Sequence, residues 1–272
     1  MSTSFDPGPQ SAALQALMSN YPDASIYPFA DFRTEWGPIF YRGRLDGSAR
    51  MLVIGQDPAQ TEGVLRRILV GEAGRRFQGF MAKCGIDTSY IMINTFLYSV
   101  YGQTGGNKHA SDANIAAYRE KWIAALLGAN QIEAVVSLGS LADTAWQHWL
   151  KSTAGKAAPA VAYQHIKHPT WPESSSPSKT VQAKNTAEML SEWNTAIPAL
   201  RTAIKHPDSN RAFVPYGTAF AAADKPDIPA IDLPAGTPDW MRLQDGWATR
   251  AGTTAPLKRK TIQITVPTGI IP

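Results

Sequence analysis

Four short runs of β-branched and apolar residues, separated by helical patterns, constrain the fold of this chain more than any other feature. They cover residues 51–54, 90–93, 134–138 and 160–163. Strands of this length that alternate with helices are typical of a parallel sheet with helices packed on its faces. We therefore expect an α/β fold with three layers, α/β/α, around a central four-stranded parallel sheet.

The segments between and after these runs carry apolar residues at helical spacing. A glycine or a capping residue marks several of the predicted helix ends. Pro198 is expected to kink or divide the last helix. The predicted helices are residues 73–84, ended by Gly85; residues 115–126, capped by Ser111 or Asp112 and followed by Gly128; residues 141–149; and residues 190–204.

Chain length and proline content predict the domain organisation. With 272 residues, of which 44% are hydrophobic, the chain can bury one substantial core. Nine prolines punctuate residues 207–272, so long regular elements are not expected there. We predict an α/β domain at residues 1–205 and a proline-rich, irregular C-terminal extension at residues 206–272 that packs on the domain or trails from it.

The cysteine content limits the kinds of site that the chain can build. Cys84 is the only cysteine, so neither a disulfide framework nor a four-cysteine metal or iron–sulfur site is possible within the chain. The N-terminus has no basic start followed by an apolar run, and about eighteen consecutive apolar residues occur nowhere. These features predict a cytoplasmic location.

The net charge of +4 is compatible with a polyanionic partner but does not require one. Arginine pairs occur at residues 66–67 and 75–76, and a basic run covers residues 258–260. These clusters either contact phosphates or form solvated faces, and solvated faces are the commoner case. Charge alone does not decide between the two interpretations.

Polar residues follow each predicted strand at its carboxyl end. Ligands of open α/β sheets bind outside these ends, so a carboxylate, an amide and an imidazole are expected at one cleft. Metal-ligand spacings and glycine-rich phosphate loops are absent from the sequence, so catalysis would use electrostatics and acid/base groups without a metal or cofactor. The strand-end residues are Gly55-Gln56-Asp57-Pro58, Asn94, Gly139-Ser140 and His168-Pro169-Thr170.

Taken together, these residues resemble the uracil-DNA glycosylase superfamily over about residues 45–200. Gly55-Gln56-Asp57-Pro58 resembles its first motif, Asn94 closes the second strand, and His168-Pro169-Thr170 resembles its second motif. Residues 70–74, with the sequence VGEAG, resemble a segment of the iron–sulfur branch, whereas GQDP resembles the ordinary uracil-excising branch. The chain is therefore similar to an atypical member that lacks the cluster cysteines.

The resemblance implies roles for individual residues. Asp57 would orient the attacking water and stabilise positive charge as the glycosidic bond breaks. Asn94 would form paired hydrogen bonds with the uracil edge, and His168 would hydrogen-bond to O2 of the departing uracil anion. The implied partner is DNA that contains uracil, single- or double-stranded, with free uracil as a product and the enzyme acting as a monomer.

Other positions depart from the family pattern or have two interpretations. Ala59 stands where ordinary uracil enzymes carry the tyrosine that excludes the thymine methyl group. The aromatic residue that stacks on uracil would be replaced by Leu69 or by Phe77, whose alternative role is core packing. Gln56 is a candidate base contact. The candidate DNA contacts are Ser140, Thr170 and Trp171, for which capping or packing is the alternative.

Three functions remain open at this point. The first is uracil excision from DNA. The second is excision of thymine, hypoxanthine or another damaged or mispaired base, because Ala59 leaves the wall of the pocket open. The third is a non-catalytic module that binds abasic or single-stranded DNA.

Overall fold

The computed structural model describes residues 5–102, 106–254 and 261–270. Its central sheet contains five strands in the order β1-β3-β2-β4-β5, with β1 at one edge. Strands β2 to β5 are parallel, and β1 pairs antiparallel with β3. The strands are β1 Arg42–Gly43, β2 Met51–Gly55, β3 Tyr90–Asn94, β4 Ala134–Leu138 and β5 Ala162–Ile166.

The four predicted parallel strands are confirmed, and two details differ. Strand β1 was not predicted, because two residues are too short for a periodic pattern. Strand β5 begins at Ala162, two residues later than predicted, and includes Gln164 and His165. It is an edge strand with mostly half-buried residues, so a search for apolar runs places it poorly.

Helices cover both faces of the sheet, which confirms the three-layer architecture. Alternate residues of β2 supply the two cores: Leu52 and Ile54 pack with one set of helices, and Met51 and Val53 pack with the other. The first set is α1 Ala12–Ser19, α4 Ala113–Ala129 and α5 Ser140–Lys151, and the second is α3 Glu72–Lys83 and α8 Lys179–Ala203. Shorter helices are α2 Gln60–Leu65, α6 Thr153–Ala157 and α7 Trp171–Ser175.

The predicted helix ends are only partly correct. Asp112 caps α4 by accepting hydrogen bonds from the backbone N–H groups of Asn114 and Ile115, but the helix continues past Gly128. Helix α8 runs unbroken through Pro198, so the expectation that this residue divides it is wrong. Buried residues on both sides of Pro198 hold the helix against the sheet. Within the described ranges, no helix is long and apolar enough to cross a bilayer.

The described part of the C-terminal region packs on the domain. It contains α9 Asp239–Leu243 and an antiparallel hairpin of β6 Ala248–Arg250 and β7 Ile262–Ile264. Trp240, Trp247 and Ala248 join Leu65 and Val70 in a third hydrophobic cluster.

A buried ion-pair network connects this region to the edge of the sheet. Asp232 is fully buried, and its Oδ2 lies 3.2 Å from Nε of the equally buried Arg42 of β1. Arg44 and the hydroxyl of Tyr90 bind the same carboxylate. The extension therefore supplies the counter-charge for two arginines at the sheet edge.

Candidate active site

A cleft of about 640 Å³ opens at the carboxyl ends of the parallel strands. Its walls come from the turn after β2, the loop after β3, the start of α5 and the turn between β5 and α7. Most of the residues predicted from the sequence as site residues line this cleft. They are Gln56, Asp57, Ala59, Ser140, His168, Thr170 and Trp171.

Asp57 presents a partly buried carboxyl group to the cleft. Its Oδ2 accepts a hydrogen bond of 2.9 Å from the backbone N–H of Val100. Burial raises the pKa of Asp57 to about 6, and the nearby charge of Glu62 adds to the shift, whereas the Val100 N–H and the cations Arg33 and Arg250 oppose it. The group is therefore ionised at neutral pH and still basic enough to exchange a proton there.

His168 is held as a neutral imidazole with a defined tautomer. Its Nδ1 lies 3.3 Å from the backbone nitrogen of Thr170 and 3.1 Å from the Thr170 hydroxyl. Because a backbone N–H can only donate, Nδ1 is the acceptor and the ring proton resides on Nε2. Burial, with a smaller contribution from the positive charge of Arg76, lowers the pKa of His168 to about 4. The ring thus offers an N–H donor without a positive charge at neutral pH.

Gly139 allows the walls of the cleft to approach one another. Its φ is +84°, a left-handed conformation that favours glycine. A Cβ at this position would collide with Nε2 of Gln56 and would lie 3.4 Å from Cβ of His168. The glycine after β4 therefore lets the turn after β2 and the turn after β5 meet in one site.

Asn94 lies at the same edge of the sheet but not in the cleft. It is the last residue of β3 and pairs with Gly55 of β2. The residue lines a separate cavity of about 10 Å³ together with Arg119 and Trp122, and its side-chain Oδ1 lies against Gly55, where a Cβ would collide with it. Asn94 still belongs to its strand, whereas Asp57 and His168 are two residues beyond theirs. The cleft thus brings Asp57 and His168 together without Asn94.

Leu69 and Phe77 do not line the cleft. Both are buried in the core between α3 and the sheet, and Phe77 stacks on Phe80 with a centroid distance of 5.2 Å. Their burial favours core packing, which the sequence analysis gave as the alternative role of Phe77. The aromatic residue at the cleft is Trp171, whose ring lies 5.1 Å from Nζ of Lys167.

Two arginines that line the cleft were not singled out from the sequence. Arg33 precedes every predicted strand, and Arg250 is the last residue of β6 in the C-terminal region. Neither follows a strand of the parallel sheet, so the strand-end criterion could not find them. Their positions become visible only in the fold, where the segments before and after the sheet strands both return to this edge.

The paired arginines singled out in the sequence are occupied by contacts within the protein. Arg66 donates to the carbonyl oxygens of Trp36 and Pro38, and Arg67 pairs with Asp6. Arg75 pairs with Asp227 and Asp245, and Arg76 pairs with Glu72 and Glu173. These contacts favour a structural role for both pairs. Residues 258–260 lie outside the described residues.

A protein-family model matches this chain. The model of the uracil DNA glycosylase superfamily matches residues 42–198, more than half of the chain. The chain belongs to this superfamily. A search of curated proteins finds no significant match. In the part of the chain that the structure describes, no group of three or more His, Cys, Asp or Glu residues is arranged to hold a metal ion.

Membership in the uracil DNA glycosylase superfamily supports a DNA glycosylase type of hydrolase activity, with DNA as the substrate. The matched segment includes Asp57, Asn94 and His168, and it excludes Arg33 and Arg250. The cleft of this superfamily member is therefore completed by residues from both flanking segments.

Proposed function

We propose that the protein is a monofunctional uracil-DNA glycosylase that hydrolyses the N-glycosidic bond of an extruded uracil and leaves an abasic site. The observation that carries the proposal is the pairing of an ionised carboxylate, Asp57, with a neutral imidazole donor, His168, at one cleft. The enzyme is proposed to act as a monomer in the cytoplasm.

The two groups match the charges that develop in this reaction. As the bond between C1′ and N1 breaks, the sugar becomes positive and uracil departs as an anion. The carboxylate of Asp57 stabilises the sugar, orients the water that forms the new C1′–O bond and accepts the proton that this water loses. The Nε2–H of His168 donates to O2 of the uracil anion. Donors and charges fixed in advance are usually the largest source of rate acceleration, at about 10²–10³-fold for one group.

Access to the bond requires the nucleotide to leave the base stack. The cleft volume of about 640 Å³ lies within the range of about 300–1,000 Å³ typical of ligand pockets. Ser140, Thr170 and Trp171 line the cleft and are the proposed DNA contacts. Trp171 is the proposed stacking or wedging residue, because Leu69 and Phe77 are buried in the core.

A second candidate is a glycosylase for another damaged or mispaired base. Ala59 is exposed at the start of α2 and lines the cleft. Its small side chain stands at the position where the resemblance implies a tyrosine that excludes the thymine methyl group. Asn94, the residue implied to read the uracil edge, lies outside the cleft. Both observations favour a broader choice of base.

A panel of labelled oligonucleotides distinguishes these functions. Uracil in single strands, opposite G and opposite A is compared with thymine opposite G, hypoxanthine opposite T and undamaged DNA, and alkali then reveals abasic sites. The proposal expects cleavage at uracil by the wild-type protein and a loss of about 10²–10³-fold in Asp57→Asn. Cleavage only at another base supports the second candidate. Tight binding of abasic DNA without any base release contradicts both enzymes and supports a binding module.

A further inference from the structure

Two arginines from outside the family-matched segment meet beside Asp57. Arg33 and Arg250 both line the cleft, and both lower the pKa of the Asp57 carboxyl group through their charge. Burial lowers the pKa of Arg33, and the charge of Arg250 lowers it further, so the two guanidinium groups repel one another. Among the described lining residues, Lys167 is a third cation, but it pairs with Glu188 and Glu192, so the two arginines are the cations that act on the single carboxylate, Asp57.

The two arginines differ in how the protein holds them. Arg33 is buried, donates to the Ser99 hydroxyl and the Val100 carbonyl oxygen, and packs on the ring of Tyr101 at 4.5 Å. Arg250 is exposed and, among the described residues, forms no ion pair and no side-chain hydrogen bond. It contrasts with the arginine pairs at 66–67 and 75–76, which are occupied by contacts within the protein.

The hairpin fixes Arg250 relative to the first motif. Arg250 pairs with Ile262 across the hairpin, and Trp247 and Ala248 are buried in the third hydrophobic cluster. Ile262 packs close to Gly63 of α2, the helix that begins directly after the GQDP turn. The hairpin and Asp57 are thus attached to the same short helix, and Arg250 is presented by a packed element.

We propose that Arg250 binds a backbone phosphate of the DNA beside the extruded nucleotide, so that the C-terminal hairpin forms part of the DNA-binding site. This inference rests on the proposed action on DNA. Arginine is suited to the contact because its planar guanidinium can donate two parallel hydrogen bonds to phosphate oxygens. The phosphate would also neutralise a cation that otherwise opposes the positive charge developing on the sugar.

The salt dependence of DNA binding tests this contact directly. The wild-type protein, Arg250→Gln and Arg250→Lys are titrated against fluorescent duplexes, either undamaged or carrying a tetrahydrofuran abasic analogue, over a series of salt concentrations. Each phosphate contact contributes a slope of about −0.9 to log K against log salt for duplex DNA. We expect Arg250→Gln to lose about 0.9 of this slope and to bind about tenfold more weakly at low salt, and Arg250→Lys to keep most of the slope.

Arg242→Gln is the matched control. Arg242 belongs to α9 of the same extension, pairs with Asp239 and does not line the cleft, so its replacement should leave the slope unchanged. The inference is overturned if Arg250→Gln binds DNA with the slope and affinity of the wild-type protein. It is also overturned if the slope decreases as much in Arg250→Lys as in Arg250→Gln.

The outcomes also separate this inference from the proposed function. Excision of uracil with an unchanged slope in Arg250→Gln refutes the phosphate contact alone. The expected change in slope without excision of uracil by the wild-type protein refutes the proposed function alone. Failure of the wild-type protein to bind DNA overturns both.

Discussion

Replacement of Asp57 by asparagine should stabilise the fold and slow the chemistry. In the wild-type protein the carboxyl group is partly buried at the cleft, and its Oδ2 accepts a hydrogen bond from the Val100 N–H. The amide oxygen of asparagine can accept the same hydrogen bond without burying a charge. The substitution therefore removes the electrostatic cost of the site while keeping its backbone contact.

The size of the effect follows from the pKa of the carboxyl group. Burial raises this pKa from its ordinary value of 3.8 to about 6. The folded state thus binds the proton more tightly than the unfolded chain, so the stabilisation is fully present below pH 3.8 and is lost as the pH rises through 6. At about 1.36 kcal/mol for each pH unit between these values, the ionised group costs about 3 kcal/mol above pH 7.

Urea unfolding of the wild-type protein and Asp57→Asn at pH 4 and pH 8 measures this cost. We expect the variant to be more stable by about 3 kcal/mol at pH 8, with the advantage falling to below about 1 kcal/mol at pH 4. Its single-turnover excision rate should fall about 10²–10³-fold. The rate of uracil excision by the wild-type protein should decrease as the pH falls through about 6, because the Asp57 carboxylate becomes protonated.

The control is Asp239→Asn, whose carboxyl group on α9 is largely exposed. Its unfolding free energy should change little at either pH. An Asp57→Asn variant that is no more stable than the wild-type protein at pH 8, or whose advantage does not depend on pH, would refute the assignment of a buried, costly charge. Retention of full activity would refute its role in the chemistry.

Three further substitutions probe the other parts of the site and the fold. Thr170→Val removes the hydroxyl that contacts Nδ1 of His168 but keeps the backbone N–H, so single-turnover excision should fall by about tenfold or less. Gly139→Ala places a Cβ against Gln56 at a left-handed φ, so it should cost about 1–2 kcal/mol in urea unfolding and weaken binding of uracil-containing DNA. Asp232→Asn removes the partner of a fully buried arginine of β1, so the unfolding free energy should fall by about 3–5 kcal/mol.

Each of these predictions has a contrary outcome. A Thr170→Val variant as inactive as a His168→Ala variant would show that the hydroxyl does more than orient the ring. Wild-type affinity in Gly139→Ala would show that Gln56 can move without consequence. For Asp232→Asn, Asp239→Asn again serves as the control, and equal stability of the two variants would show that the buried ion pair contributes little.

The sequence predicts the layers, the parallel strands and the position of the cleft, because each depends on local patterns. The GQDP and His168-Pro169-Thr170 turns follow their strands directly, so their meeting at one edge follows from the parallel topology alone. Asn94 shows the limit of this reasoning. It lies at the predicted edge, but the direction of its side chain depends on its remaining in β3 beside Gly55.

Tertiary packing decided the remaining positions. Phe77 has the spacing of a core residue and the chemistry of a stacking residue, and only its burial among residues of the sheet and of α8 distinguishes the two. Arg250 carries no local signal, since its position depends on a hairpin that packs on α2. Contacts over such sequence separations are set by the complete fold and leave no periodic pattern in the chain.

The buried carboxylate of Asp232 is synthesised much later than the arginines that it pairs with. It is 188 residues later in sequence than Arg44, one of the two arginines that it neutralises. At a translation rate of about 5–20 residues per second, the ribosome needs about 10–40 s to supply this partner. Because Arg42 and Arg44 share this one carboxylate, their native ion pairs can form only after residue 232 has been synthesised.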